Sequence, residues 1–228
     1  MHKIDVHMLS LTTDNPECKQ EAEASLENAN ANVFHIAGID GDIKQSRING
    51  YSLGTAPYVD SDDIVIPEAF DICVKTLEEN PELVGCYTQS CIIDENGCES
   101  RSRMNQFRPW EFSSMVDNKF EIHQLVVIRR EFNDKVSRFI YNSRLEVGPY
   151  IEHYRYILLS QFGNWEAIPF IGYKWRRDGN KGRNRNMISM QDRILYSDYL
   201  SSLLISKDFS KLQYPPVVEQ FAKFDFPR

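Results

Sequence analysis

The stretch Tyr58-Val59-Asp60-Ser61-Asp62-Asp63 (residues 58–63) decides how this chain is read. Three carboxylates occupy four positions at the end of a short apolar run, Ala56–Val59, which reads as a strand. The end of a strand presents such side chains together, and their mutual repulsion is unfavourable unless a cation or basic groups neutralise it. Hard divalent cations such as Mg²⁺ or Mn²⁺ take oxygen ligands of this kind, and need only one or two carboxylates when a substrate diphosphate supplies the rest. The competing reading is structural: Asp62 or Asp63 caps the helix whose first turn holds Pro67 and Glu68.

Upstream of this segment, Ile4–Leu11 reads as a buried strand, and Asp14-Asn15-Pro16-Glu17 as a helix start with a capping side chain and proline at the first helical position. That helix runs to about Asn30 and is followed by a short strand at Val33–Ala37. Gly38-Ile39-Asp40-Gly41-Asp42 is a turn, and the segment to Thr55 is irregular or a short helix. Downstream, Phe70, Cys73, Val74 and Leu77 repeat at helical spacing within Pro67–Asn80. Val84–Ile93 is a strand, Asp94-Glu95-Asn96-Gly97 a turn, and His123–Arg130 a further strand. Pro149–Phe162 is a helix ending at Gly163, and Ala167–Tyr173 is the last strand. The β-α-β-α order predicts a single α/β domain over residues 1–190, with a mostly parallel central sheet flanked by helices. Residues 191–228 are expected to form a helical, then Pro-rich tail packed on it. In open sheets of this kind ligands bind outside the carboxyl ends of the strands, where residues 58–63 fall.

The chain of 228 residues is 42% apolar and 12% aromatic, the composition of a folded globular protein. No apolar run approaches the ~18–20 residues that span a bilayer. The N-terminus turns polar too quickly for a signal peptide, so a cytoplasmic location is expected. Cys18, Cys73, Cys86, Cys91 and Cys98 are odd in number and lack paired zinc-site spacing, which predicts reduced thiols, with Cys73 buried. Residues 1–98 carry 18 acids and 5 bases, a net of −13, and the remainder carries 15 acids and 21 bases, a net of +6. An acidic half facing a basic half suits a site where a cation and phosphates are shared between them.

Five segments, in order, resemble the GT-A fold glycosyltransferases, in particular the large inverting family that uses nucleotide-diphosphate sugars. Arg47-Ile48-Asn49-Gly50 followed by residues 56–63 is similar to that family's "RN.G…a…yi.fLDsDD". ELVGCYTQSCIIDENG, HQLVVIRREFNDKVSRF and YIEHYRYILLSQFGNWEAIP resemble its next three signatures, and YKWRRDGNKGRN its closing basic loop. The chain departs from the family at Leu9-Ser10-Leu11-Thr12-Thr13 in place of "IPtYN", and near Asp178, where the family's loop carries histidine. It also has Glu152-His153 where the family has Glu-Asp. It has no QxxRW-like signature of the polysaccharide synthases, which favours transfer of a single sugar.

The resemblance assigns Asp60 and Asp62 to the nucleotide and the metal, Mn²⁺ or Mg²⁺, with Asp63 a further ligand or a cap. It places Asp40 against the nucleobase or ribose of a donor, a UDP-sugar being favoured. Arg47 is expected to meet either the diphosphate or the acidic cluster. Arg176, Arg177, Lys181 and Arg183 lie in a basic Gly-rich loop able to close over a diphosphate, because arginine forks match phosphate oxygens. For the general base the candidates are Glu152, His153 and, further off, Glu146. Each has a plain structural counterpart: a turn residue, a solvated loop, a first-turn acid on a helix dipole.

The acceptor is left open between a glycan, lipid-linked or protein hydroxyl and a hydroxylated base in DNA. Arg108 and Trp110, with His123, are the acceptor-site candidates, since arginine beside an aromatic stacks sugars or bases. Two rivals belong to other classes. One is a noncatalytic nucleotide-sugar or nucleic-acid binding module, suggested by histidine at 153. The other is a nucleotidyltransferase, disfavoured by the absence of a Gly-rich triphosphate signature.

Overall fold

The computed structural model describes residues 3–12, 14–39, 42–52, 58–94, 96–100, 109–111, 122–142 and 151–176. Asp40, Arg108, Arg177, Lys181, Arg183 and the tail at 191–228 lie outside these residues, as does the side chain of His153.

Strand β1 (Ile4–Ser10) is central to a three-stranded parallel sheet, flanked by β2 (Ala31–Ala37) and β3 (Tyr58–Asp60). Its middle residues Val6, His7, Met8 and Leu9 are all buried, as a strand covered on both faces requires. Helix α1 (Pro16–Glu27) starts as its sequence predicts: the Asn15 side chain accepts from the Glu17 amide at 3.0 Å and Pro16 occupies the first turn. Helix α2 (Ile43–Ser52) fills the segment that the sequence left between irregular and helical.

The chain then passes into a second sheet. Strand β4 (Ile64–Val65) pairs antiparallel with β8 (Asn164–Arg176), and β8 runs parallel to β5 (Leu83–Ile93). Strands β6 (Glu99–Ser100) and β7 (Val126–Ile128) both pair antiparallel with β5. The single, mostly parallel sheet expected from the sequence is therefore two sheets, one parallel and one mixed. The reason is local: β3 is three residues long, and the turn at 61–63 redirects the chain before β4. The acidic segment is the seam between the sheets.

Helix α3 (Glu68–Glu79) buries Ala69, Phe70, Cys73 and Leu77 against this second sheet. They join Val6, Met8, Val59, Cys86, Leu125 and Tyr173 in one hydrophobic cluster, so a common core welds the two sheets together. Arg129 ties off the helix end: its guanidinium donates to the carbonyls of Asn80 (3.0 Å) and Leu77, which a helix C-terminus leaves unpaired, and to that of Leu83 at the start of β5 (2.8 Å). The predicted turn after β5 is present, with Asp94 accepting from the amides of Asn96 and Cys98, both at 2.9 Å, and Gly97 at φ +79°. Where the sequence predicted strand through Arg130, β7 stops at Ile128 and α4 (Arg130–Asn142) begins. Helix α5 (Ile151–Leu159) follows in the segment predicted as helix. All five cysteines are free and Cys73 is buried. Among the described residues, no helix is long and apolar enough to cross a membrane.

Candidate functional site

The acidic turn is built by backbone as much as by side chains. The Ser61 amide continues the β1 ladder to the Leu9 carbonyl at 3.0 Å, and the Asp63 amide closes the turn onto the Asp60 carbonyl at 3.1 Å. Ser61 Oγ is hydrogen-bonded to Asp14, whose carboxylate also accepts from the Leu11 amide, so the β1–α1 loop is fastened against the turn.

The three aspartates separate by environment. Asp60 is partly exposed, with 30% of its side chain open, and Asp62 is exposed. Asp63 is 1% exposed, accepting from Tyr173 Oη at 2.7 Å and from the Arg176 amide at 2.7 Å, one bond to each oxygen. Burial, then the charges of Asp60 and Asp62, push its carboxyl well above the usual carboxylate range. Tyr173 Oη in turn accepts from the Asp60 amide at 3.2 Å. Two expectations are corrected here. Helix α3 has Pro67 at its cap position with no side-chain cap bond, so neither Asp62 nor Asp63 caps it. Asp63, expected as a third metal ligand or a cap, instead bolts the turn to β8: at 1% exposure it is closed off from the surface, and each of its oxygens accepts a bond inside the protein.

Arg176 was expected to face a diphosphate. Its guanidinium is instead spent on the protein: Nε donates to the Asp62 carbonyl (2.8 Å), Nη1 to the Asp94 carbonyl (3.3 Å), and Nη2 pairs with Glu21. At 8% exposure it anchors the end of β8 to the acidic turn, immediately before the basic loop.

Arg47 resolves the alternatives left by its sequence position. Its Nη2 lies 2.7 Å from Asp60 Oδ1 and donates to Oδ2 at 2.9 Å, and its Nε lies 2.7 Å from Glu152 Oε1. One guanidinium thus joins Asp60 to Glu152, 92 residues apart in sequence, since α2, β3 and the first turn of α5 converge. Glu152 is nearly buried; burial pushes its carboxyl up, and Arg47 pulls it the other way. Trp110 and His123 are both half-buried, and the ion pairs of Arg47 include neither.

Beneath these ion pairs lies an aromatic and basic layer that the sequence reading missed. The Arg47 guanidinium stacks 3.7 Å over the Tyr58 ring, and that of Arg155 lies 4.1 Å over Tyr51. Arg155 is completely buried and bonds to Asn133 of α4. His7 sits between the tyrosines, 5.7 Å from Tyr51 and 5.8 Å from Tyr58, centroid to centroid. Its space depends on Gly50: a Cβ there would come within 2.3 Å of the imidazole. Sequence did hold a signal for this layer, in the spacing of Arg47 with Tyr51 and of Glu152 with Arg155 and Tyr156, three and four residues apart on one helix face.

Burial first, then Arg47 and Arg155, hold the His7 pKa well below its ordinary 6.5. Folding therefore binds fewer protons than unfolding in the interval below about 6.5, and stability is full above that pH and falls as the pH drops toward the lowered value. The expected slope from this one group approaches about 1.4 kcal/mol per pH unit. Urea unfolding at pH 7.5 and 5.5 checks it: His7→Phe should lose less stability on acidification than the native chain, and equal losses would remove His7 as the cause.

The donor set defines what a cation would meet. Among the described residues, no three His, Cys, Asp or Glu side chains converge as a metal cage. Asp60, partly exposed and paired with Arg47, and Asp62, exposed, are the carboxylates that a hard cation completed by substrate phosphates would meet here.

No protein-family model matches the chain, and no curated protein matches it by sequence. Among solved structures its fold is similar to TarS of S. aureus, a glycosyltransferase. A structure of TarS 1–349 aligns at 11% identity and TM-score 0.54, over 96% of this chain and 78% of that one. A second TarS structure aligns at 9% identity and TM-score 0.57, over 96% of this chain and 47% of that one. At these identities the likeness is one of architecture alone: this chain shares the fold of TarS.

Proposed function

We propose that this protein is a metal-dependent, inverting glycosyltransferase that moves one sugar from a nucleotide-diphosphate sugar, a UDP-sugar by preference, to an acceptor hydroxyl. The observation that carries this reading is the junction at Arg47, where Asp60 at the carboxyl end of a parallel strand and Glu152 at the start of α5 meet on one guanidinium. The fold shared with TarS supports it.

In such a transfer the acceptor oxygen bonds to the anomeric carbon as the bond to the diphosphate oxygen breaks, with its electron pair leaving on the diphosphate. The acceptor proton passes to a base at the start of α5, the position of Glu152 and His153. Asp60 and Asp62 are the residues that would hold a cation, which would supply Lewis-acid neutralisation of the departing charge. Asp63, Tyr173 and Arg176 keep those two carboxylates aimed by fixing the turn to β8.

One observation favours a second reading. Glu152 is nearly buried in an ion pair, which suits a binding module that keeps the donor site without a working base.

Thermal unfolding with a panel of nucleoside diphosphates and nucleotide sugars, each with Mn²⁺ and with chelator, tests the proposal. Ligand at ~100 times its dissociation constant adds about 2.7 kcal/mol, which raises Tm by several degrees. The expected result is Mn²⁺-dependent stabilisation by one nucleotide and its sugars, with nucleoside diphosphate released when acceptor is supplied. Stabilisation without turnover on any hydroxylated acceptor selects the binding module. No stabilisation by any ligand sinks both readings.

A further inference from the structure

Arg47 is held inside the protein. Its side chain is 8% exposed, its Nη2 donates to Asp60, and its Nε lies in an ion pair 2.7 Å from Glu152. Nε and Nη1 are both enclosed without a hydrogen-bond partner, and the Tyr58 ring lies against the guanidinium at 3.7 Å. A guanidinium presents its donors in a rigid planar fork, so two carboxylates bound to different edges are held at a fixed separation. A lysine in the same place offers one point charge and holds one of them.

We propose that Arg47 is a positioning residue that sets the distance between Asp60 and Glu152, joining the donor end of the site to the start of α5, and that it does not bind the diphosphate. The functional half of this inference rests on the transferase reading; the structural half does not. The elements it joins also meet through the Arg155 guanidinium of α5, which lies over Tyr51 of α2. Asp60 ends β3, Glu152 begins α5, and α2 reaches both only because Gly50 lets it sit on the His7 ring of β1. Tyr58 and Tyr51 back the two buried guanidinium groups, which leaves Arg47 little freedom to swing toward a ligand.

The first test is a reversal of sign in thermal unfolding. In the native chain, Asp60→Asn or Glu152→Gln takes a partner from a buried guanidinium and should lower Tm. In an Arg47→Met background each carboxylate is left without its counter-charge, and the same substitutions should raise Tm by several degrees. Effects of the same sign in both backgrounds overturn the bridge, whatever the protein's activity. The second test uses Arg47→Lys, which keeps the charge should Arg47→Met fail to fold. Donor dissociation constants should change by less than about threefold while kcat falls by more than about tenfold. Donor affinity falling by about tenfold with kcat unchanged would make Arg47 a diphosphate ligand and overturn the proposal. A sign reversal in a chain that binds no nucleotide sugar keeps the bridge and discards the transferase reading.

Discussion

Asp62→Ala is expected to abolish cation-dependent nucleotide binding and to leave the melting temperature of the unliganded protein where it was. The Asp62 side chain is exposed, and its carbonyl accepts from Arg176 Nε at 2.8 Å. Alanine keeps that carbonyl. What it removes is one of the two carboxylates, Asp60 and Asp62, proposed to share a cation with a diphosphate. Loss of one such group from a site of charge stabilisation costs about a hundredfold to a thousandfold in rate, and the transfer rate should fall by that much. Donor titration in Mn²⁺, with circular dichroism melting as the control, is the measurement. Normal binding by the variant would reduce the acidic segment to a solvated turn.

Asp63→Ala should do the reverse, although it is the neighbouring residue of the same type. It strands the Tyr173 hydroxyl and the Arg176 amide in a buried place, and each unsatisfied group costs about 1–3 kcal/mol. The sum, about 3 kcal/mol or more, corresponds to a fall in Tm of about 6–12 °C for a chain of this size. Asp63→Asn keeps an acceptor for the Arg176 amide and a polar partner for Tyr173, so it should recover most of the loss. Donor affinity of Asp63→Ala, measured below its melting temperature, should fall less than that of Asp62→Ala. A variant that melts normally yet fails to bind would return Asp63 to the ligand set.

These paired results separate two aspartates that sequence treats alike. Three carboxylates after an apolar run announce a cation or phosphate site by charge density alone, and Asp60 and Asp62 fit that announcement. What Asp63 meets is decided by β8, 110 residues away, and no local pattern encodes that the Tyr173 hydroxyl arrives there. Arg176 shows the same limit from the other side. As a member of a basic segment it looked like a phosphate ligand, and only the packing of Glu21, Asp62 and Asp94 around it shows that its donors are used.

Periodicity carried the α/β class and the helices α1 and α3, because alternation of apolar residues at helical or strand spacing is a local property. It missed the split into two sheets, which depends on a three-residue turn, and it missed α4, whose buried face includes the polar Asn133 and Ser137 beside Val136. The candidate site followed the same division. Sequence by itself determined which residue types were present in which order: an acidic turn after a strand, an arginine ahead of it, a Glu at the start of a later helix. The tertiary structure alone decided that Arg47 pairs with two of them at once. Ion pairs between distant elements are set by where helices come to rest on a shared core, and the chain between residues 47 and 152 carries no periodic trace of that meeting.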